Sequence, residues 1–253
     1  MKTLQDKVAI VAGASSGIGR AAALLFAAEG AAVVAGARRS AELSMLIEEI
    51  EKSGGRACAL AGDVSEESYA QNLATLAVER FGGLDIAFNN AGFMGLGDAT
   101  VLPTETWRRT LDVNLTAAFF AAKHQVPRML ERGGGSLIFT SSFVGHTAAF
   151  PGMAAYAASK AGLVGLTQAL AAEYGPRGIR VNALLPGATD TEMAREFAST
   201  PEIRAYIANL YALKRMAEPV EVARAALFLA SDQASFVTGS AMLVDGGVSI
   251  NRG

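Results

Sequence analysis

Tyr156 and Lys160 stand four residues apart in the stretch YAASK. On a helix that spacing puts both side chains on one face, and the pair then has a chemistry. A free tyrosine, with a pKa of about 10, is a poor base near pH 7. A neighbouring ammonium favours the phenolate and is expected to lower that pKa. The two residues therefore read as a proton donor or acceptor for a carbonyl or an alcohol. The plain alternative is a half-buried tyrosine and a surface lysine. Ser142 precedes Tyr156 by fourteen residues, with Ser141 beside it. A hydroxyl there could donate to a substrate oxygen on which charge develops. Asn114 falls in mid-helix, where an amide does nothing for helix propensity. It either holds a water that links Lys160 to solvent or faces solvent itself.

A second constellation is the run GASSGIG, with Gly13, Ser15, Ser16, Gly17, Ile18 and Gly19. Its spacing is G-x-x-x-G-x-G and not the more familiar G-x-G-x-x-G. The physics is shared: a tight turn enters a helix N-terminus, and glycines let a pyrophosphate approach the backbone. The glycines would equally serve close packing in an ordinary turn. About twenty residues on, an NAD-binding chain presents a carboxylate to the ribose 2′-OH. Here Ala37 holds that place, and Arg38 and Arg39 follow. Two guanidiniums suit a 2′-phosphate, so NADP(H) is favoured over NAD(H). Asp63, suited to an adenine amino group, and the run Asn89-Asn90-Ala91-Gly92 close later strands. Asn89 and Asn90 could bind the cofactor or brace the glycine loop, and any of these polar groups could simply cap a turn.

These residues need a frame. Val8 to Gly13 reads as a buried strand, then GIGRAAALLFAAEG as a helix stopped by Gly30. Ala32 to Ala37 is a second strand, and Leu43, Leu46, Ile47 and Ile50 give the next helix one apolar face. ACALAGD, LDIAFNNAG, SLIFTSS, IRVNALLP and SAMLVDGG supply five more strands. Ser65 with Glu66 and Glu67 suits the start of the third helix. A long helix is expected from about Glu105 to Arg132, bent or ended by Pro127. Further helices cover Met153 to Tyr174, Thr191 to about Leu213, and EPVEVARAALFLAS. Strand–helix alternation implies right-handed crossovers. The expected fold is α/β: one Rossmann-type, doubly wound parallel sheet of about seven strands, in a single domain over 1–253. Ligands on such sheets sit at the carboxyl ends of the strands, where the residues above fall.

Composition narrows the classes. Charged residues are 18% of the chain and hydrophobic ones 51%, with a net charge of −2. That fits a compact chain and argues against nucleic acid as a partner. One cysteine, Cys58 in an apolar run, leaves no intrachain disulfide or cysteine zinc cluster. His124 and His146 are too few for a metal cluster, so no metal is expected. The N-terminus lacks a long signal-type apolar run and no segment reads as a membrane span. The expected location is cytoplasmic, and the Asn114 sequon carries little weight.

Taken in order, GASSGIG, GDV, NNAG, the Asn of DVNL, the SS pair, YAASK and the PG after the sixth strand resemble the short-chain dehydrogenase/reductase superfamily over essentially the whole chain. The resemblance implies roles. Tyr156 would be the general acid or base, Lys160 its partner, Ser142 the orienting hydroxyl and Asn114 the fourth catalytic member. Gly13, Gly17, Ile18 and Gly19 would line the pyrophosphate, and Asp63 and Val64 the adenine. Asn90, Ala91 and Gly92 would meet the adjoining ribose region, and Pro186, Gly187 and Thr191 the nicotinamide. Three features depart from the pattern. Ala12 replaces the threonine that usually opens the glycine loop. Ser142 and Tyr156 are one residue further apart than usual, with Ser141 the alternative serine. Gly133 and Ala172 stand where acyl-carrier-protein reductases are expected to be basic.

The segment of about 189–215 would form a substrate lid, with Met193, Phe197, Ile203, Tyr206, Leu210 and Tyr211. Phe93, Met94, Phe143, Phe150 and Met153 could add apolar walls for a ketone or secondary alcohol. Packing of the lid on the core is the simpler use of these side chains. The family suggests a homotetramer. Alternatives are a 3-oxoacyl-thioester reductase, a sugar dehydrogenase, or a non-catalytic NADP(H)-binding regulator.

Overall fold

In the computed structural model, which describes residues 2–251, seven parallel strands form one sheet in the order β3-β2-β1-β4-β5-β6-β7. They are β1 (Val8–Ala12), β2 (Ala32–Ala37), β3 (Arg56–Ala61), β4 (Ile86–Asn89), β5 (Gly135–Thr140), β6 (Ile179–Pro186) and β7 (Ala241–Val244). The alternation of side chains along a strand buries both faces. Ala9 and Val11 of β1 enter one core, Val8 and Ile10 the other. On the first face pack α1 (Gly17–Ala28), α2 (Ser40–Lys52) and α9 (Pro219–Ala230), through Phe26, Leu43, Leu46, Ile50 and Val222. On the second pack α3 (Glu67–Phe81), α5 (Ala117–Glu131) and α6 (Ala154–Tyr174), through Leu73, Ala122 and Leu163. Among the described residues no helix is long and apolar enough to cross a membrane.

The strand order reverses between β1 and β4, which pair directly, Ala9 with Ile86 and Ala12 with Asn89. Crossovers leave this point toward opposite faces, so a crevice opens above it. The glycine loop after β1 and the NNAG run after β4 flank that crevice.

Several local expectations change. The long helix divides into α4 (Thr104–Leu111), a wider π turn at Asp112–Thr116, and α5. Pro127 lies inside α5 and does not end it. Asn114 sits in the π turn, where its side chain bonds out of the helix. Ser65 does not begin α3; its amide and hydroxyl turn back to Asp63, and Glu67 starts the helix. After β6 the chain forms two short helices, α7 (Glu192–Phe197) and α8 (Pro201–Leu210). Thr191 and Thr200 cap them through their hydroxyls.

Phe88 of β4 is fully buried one residue before the crevice, its ring centroid 6.3 Å from that of Phe26 on α1. It ties the switch-point strand to the helix of the glycine loop. Phe88→Ala is expected to cost about 3–5 kcal/mol, read as a lower midpoint in denaturant unfolding at an unchanged slope.

Candidate active site

The glycine loop is a packed corner. The amides of Gly13 and Ala14 both donate to the carbonyl of Gly36, at 2.7 and 3.0 Å. Gly13 adopts φ +82°, and a Cβ there would lie 2.7 Å from the amide nitrogen of Ala91. A Cβ on Gly19 would lie 2.1 Å from the Gly13 carbonyl oxygen, so α1 can dock only with glycine at that place. Asn90 braces the corner. Its amide group donates to the Gly13 carbonyl at 3.4 Å, and its oxygen accepts from Thr140 Oγ1 at 3.0 Å. Asn89 instead exchanges two hydrogen bonds with Gln125 on α5, at 2.9 and 3.1 Å. α1 starts at Gly17, and Ser16 gives it no side-chain cap. The amides of its first turn have no intrahelical acceptor and face the crevice with the positive end of the helix dipole. Bare backbone and unpaired amides fit a pyrophosphate.

At the end of β2, Ala37 is buried and Arg38 exposed. Arg39 is not a free cation. It donates to Ser15 Oγ, lies 3.5 Å from Glu42, and pairs at 2.9 Å with Glu192. Asp63 is pushed up by burial, but the Ser65 amide and hydroxyl, with Arg38 nearby, outweigh this and hold it below the usual carboxylate range. Val64 packs on the second core behind it.

Ser142, Tyr156 and Lys160 are all buried, at 5%, 9% and 3% exposure, so their protonation is set by their neighbours and not by bulk water. Ser142 accepts from the amide of Val144 at 3.1 Å, and its hydroxyl lies close enough to Tyr156 to favour the phenolate. Ser141 turns away, donating to the Lys160 carbonyl at 2.7 Å. Lys160 Nζ donates to the Thr140 carbonyl at 2.6 Å and lies 5.6 Å from the centre of the Tyr156 ring. A Cβ on Gly92 would lie 3.6 Å from Lys160 Nζ and 3.5 Å from Asn114 Oδ1, which places Gly92 over both. Asn114 accepts from the Phe93 amide at 2.7 Å and donates to the Phe93 carbonyl and to Ser159 Oγ, each at 2.9 Å. It is buried and pins the NNAG run to α6; it does not face solvent.

The electrostatics overturn one expectation. The lysine does not lower the tyrosine. Burial raises the pKa of Tyr156, against the opposing bond from Ser142, and burial lowers Lys160 from 10.5 to about 7. Each group loses hydration in its charged form. The neutral phenol is the resting form.

Between Ser142 and Tyr156 the chain makes a tight turn. Gly145 adopts φ +85°, where a Cβ would lie 2.4 Å from the Ala157 carbonyl oxygen, and its amide donates to Ala148. Phe143 and Phe150 meet edge to face at 5.9 Å, and with Met94 and Met153 they pack around Tyr156. Phe93 lies under the Arg109 guanidinium instead, 4.8 Å from its ring centre. His146 is exposed.

Pro186 ends β6, and its carbonyl accepts from the Phe143 amide at 3.5 Å. Gly187 lies against Tyr211, whose hydroxyl accepts from the Ala188 amide at 2.5 Å. Tyr211 is therefore buried structure, whereas Ile203 and Tyr206 are exposed. A Cβ on Gly17 would meet the Thr191 methyl at 2.8 Å, so this segment starts on the glycine loop. Four participants escaped the sequence reading: Thr140, Gln125, Ser159 and Glu192. Ser159 lies inside YAASK itself, and Thr140 directly precedes the two serines. Gln125 and Glu192 carry no local signal.

Residues 13–249 match the family model described as enoyl-(acyl carrier protein) reductase. The chain is 41% identical over 249 residues to the A-factor type γ-butyrolactone 1′-reductase (1S-forming) of Streptomyces virginiae, covering 98% of this chain and 97% of that one. A 7α-hydroxysteroid dehydrogenase solved with NADH and 7-oxoglycochenodeoxycholic acid superposes with a TM-score of 0.92 at 34% identity, covering 96% of this chain and 94% of that one. A Beutenbergia cavernae protein solved with NADP at low occupancy gives 0.93 at 38% identity, covering 98% and 99%. The chain belongs to the short-chain dehydrogenase/reductase superfamily. It is a pyridine-nucleotide oxidoreductase of that class, acting between CH–OH and C=O groups.

Lys160 makes stability depend on pH. Between about 7 and 10.5 the unfolded chain holds a proton that the folded chain has released, so stability rises with pH in that window. Lys160→Met removes this dependence. In the cofactor-free protein, the stability of the variant relative to wild type should decline steadily as pH rises from 7 toward 10. A constant difference across that range would mean that Lys160 keeps its ordinary pKa.

Proposed function

We propose that the chain is an NADP(H)-dependent carbonyl reductase and secondary-alcohol dehydrogenase for an apolar substrate. The observation that carries this reading is the buried Ser142–Tyr156–Lys160 group at the crevice, with Gly92 over the lysine. The cofactor, when bound, supplies a hydride in reduction or accepts one in oxidation. Gly13, Ser15, Ser16, Gly17, Ile18 and Gly19 would hold its pyrophosphate, and Arg38 and Arg39 its 2′-phosphate. Asp63 and Val64 would flank the adenine, Asn90, Ala91 and Gly92 the ribose, and Pro186, Gly187 and Thr191 the far end.

Ser142 donates to the substrate oxygen and fixes it beside the Tyr156 hydroxyl. Tyr156, held as the phenol by burial, gives its proton to that oxygen in reduction. In oxidation Tyr156 must first lose its proton, so this direction gains as the medium becomes alkaline. Lys160 takes part in proton return to the tyrosine, because a lysine near pKa 7 can carry the proton in either state. Asn114 positions the Phe93 backbone and α6 around them. The apolar packing of Phe143, Phe150, Met153 and Met94 favours a ring or chain ketone over a sugar. The 189–215 segment would cover the substrate as a lid within a single domain. The exposed Leu243 of the edge strand β7 and Phe119 of α5 suit assembly of a cytoplasmic homotetramer.

A panel of ketones, 3-oxoacyl thioesters and sugars, followed by NADPH absorbance, tests the substrate class. Turnover of no member, despite tight NADPH binding, would instead support a non-catalytic regulator. Tyr156→Phe should lower turnover by about a thousandfold while NADPH still binds. Near-normal activity in that variant removes the proposed acid. For the cofactor, NADPH should bind the wild type more tightly than NADH. Arg38→Ala should weaken NADPH alone, by roughly tenfold. Tighter binding of NADH to the wild type overturns the 2′-phosphate assignment.

A further inference from the structure

Of the two arginines after β2, Arg39 already has an anion. Its guanidinium holds Ser15 Oγ at 3.1 Å, Glu42 at 3.5 Å and Glu192 at 2.9 Å. Glu42 belongs to the same helical turn and is a local partner. Glu192 comes from 153 positions later in the chain, in the first turn of α7. The Arg39 guanidinium, with the Ser16 hydroxyl nearby, lowers the pKa of its carboxyl below the ordinary glutamate value. The contact thus runs across the glycine loop and clasps the segment after β6 to the end of β2. Residue 192 is not needed to cap α7, because Thr191 Oγ1 already accepts from the Ala194 amide. An acidic residue there does suit the helix dipole, but that effect requires no arginine.

Resting on the 2′-phosphate reading of Arg38 and Arg39, we infer that Glu192 is a cofactor-specificity residue that competes with the 2′-phosphate for Arg39. A phosphate that takes Arg39 must displace the carboxylate and release the first turn of α7. An NAD(H)-type ribose has no such anion and leaves the clasp closed. The coupling is reciprocal, so opening the clasp by mutation must strengthen phosphate binding by the factor that phosphate weakens the clasp. Both side chains are part-exposed, 40% for Arg39 and 58% for Glu192. The effect is therefore modest, about fivefold at low salt, and smaller as salt rises.

The test uses fragments that differ by one phosphate, adenosine 2′,5′-bisphosphate and 5′-AMP, bound to the whole chain and followed by calorimetry. The proteins are wild type, Glu192→Gln, Arg39→Ala and the double variant. Glu192→Gln is an exposed, near-isosteric change, so folding is not at stake. It should tighten the bisphosphate about fivefold relative to 5′-AMP, and this gain should vanish in the Arg39→Ala background. NADPH and NADH, followed by nicotinamide fluorescence, should repeat the pattern. An equal gain for both fragments, no gain, or a gain that persists without Arg39 each overturns the role of Glu192. If the bisphosphate binds no better than 5′-AMP to the wild type and to Glu192→Gln alike, the 2′-phosphate assignment itself falls, and this inference with it.

Discussion

The site is organised around a cation taken out of water. Lys160 is almost wholly enclosed, and its ammonium nitrogen donates to the last carbonyl of β5, that of Thr140. That enclosure is costly to the fold, and much of the surrounding chain serves to maintain it. Ser141 fixes the Lys160 carbonyl, Ser159 and Asn114 fix the next layer, and Gly92 leaves the space above the amine open. The same absence of water that brings the lysine near neutrality holds the tyrosine as a phenol. The pair is therefore poised by desolvation.

Burial is also what a linear reading misses. YAASK displays the i, i+4 spacing, and the helix from residue 154 to Tyr174 agrees with the pattern. What the spacing cannot display is how much solvent remains, and this determines the direction of the pKa shift. The sheet was readable for the opposite reason. Its strands are short, apolar on both faces and separated by helical periodicity, so their order along the chain constrains their arrangement. The long helix divides at the π turn, where Asn114 bonds to Phe93 and Ser159, partners distant in sequence. Pro127 was the visible irregularity but not the operative one. The two serines are alike in the sequence, but in the fold Ser141 Oγ is engaged by the Lys160 carbonyl.

The arginine pair shows a related limit. Composition counts two cations after β2, and geometry leaves one of them engaged by carboxylates from two elements. Residue type gives the chemistry a side chain can perform; only the fold gives what it is already performing. The crevice is thus a balance of anions and cations in which the protein supplies both signs.

The direct pairing of β1 with β4 has a consequence for how the chain assembles. Ala9 faces Ile86, so three helices and two strands intervene before this ladder can close. Contacts of such long sequence separation are slow to form. The glycine corner is complete only when Asn90 and Ala91 arrive from β4. A nascent chain that has made its first βαβ unit has no cradle, whatever its local structure. A dinucleotide therefore selects finished molecules, and at saturating concentration shifts the folding equilibrium toward them by mass action.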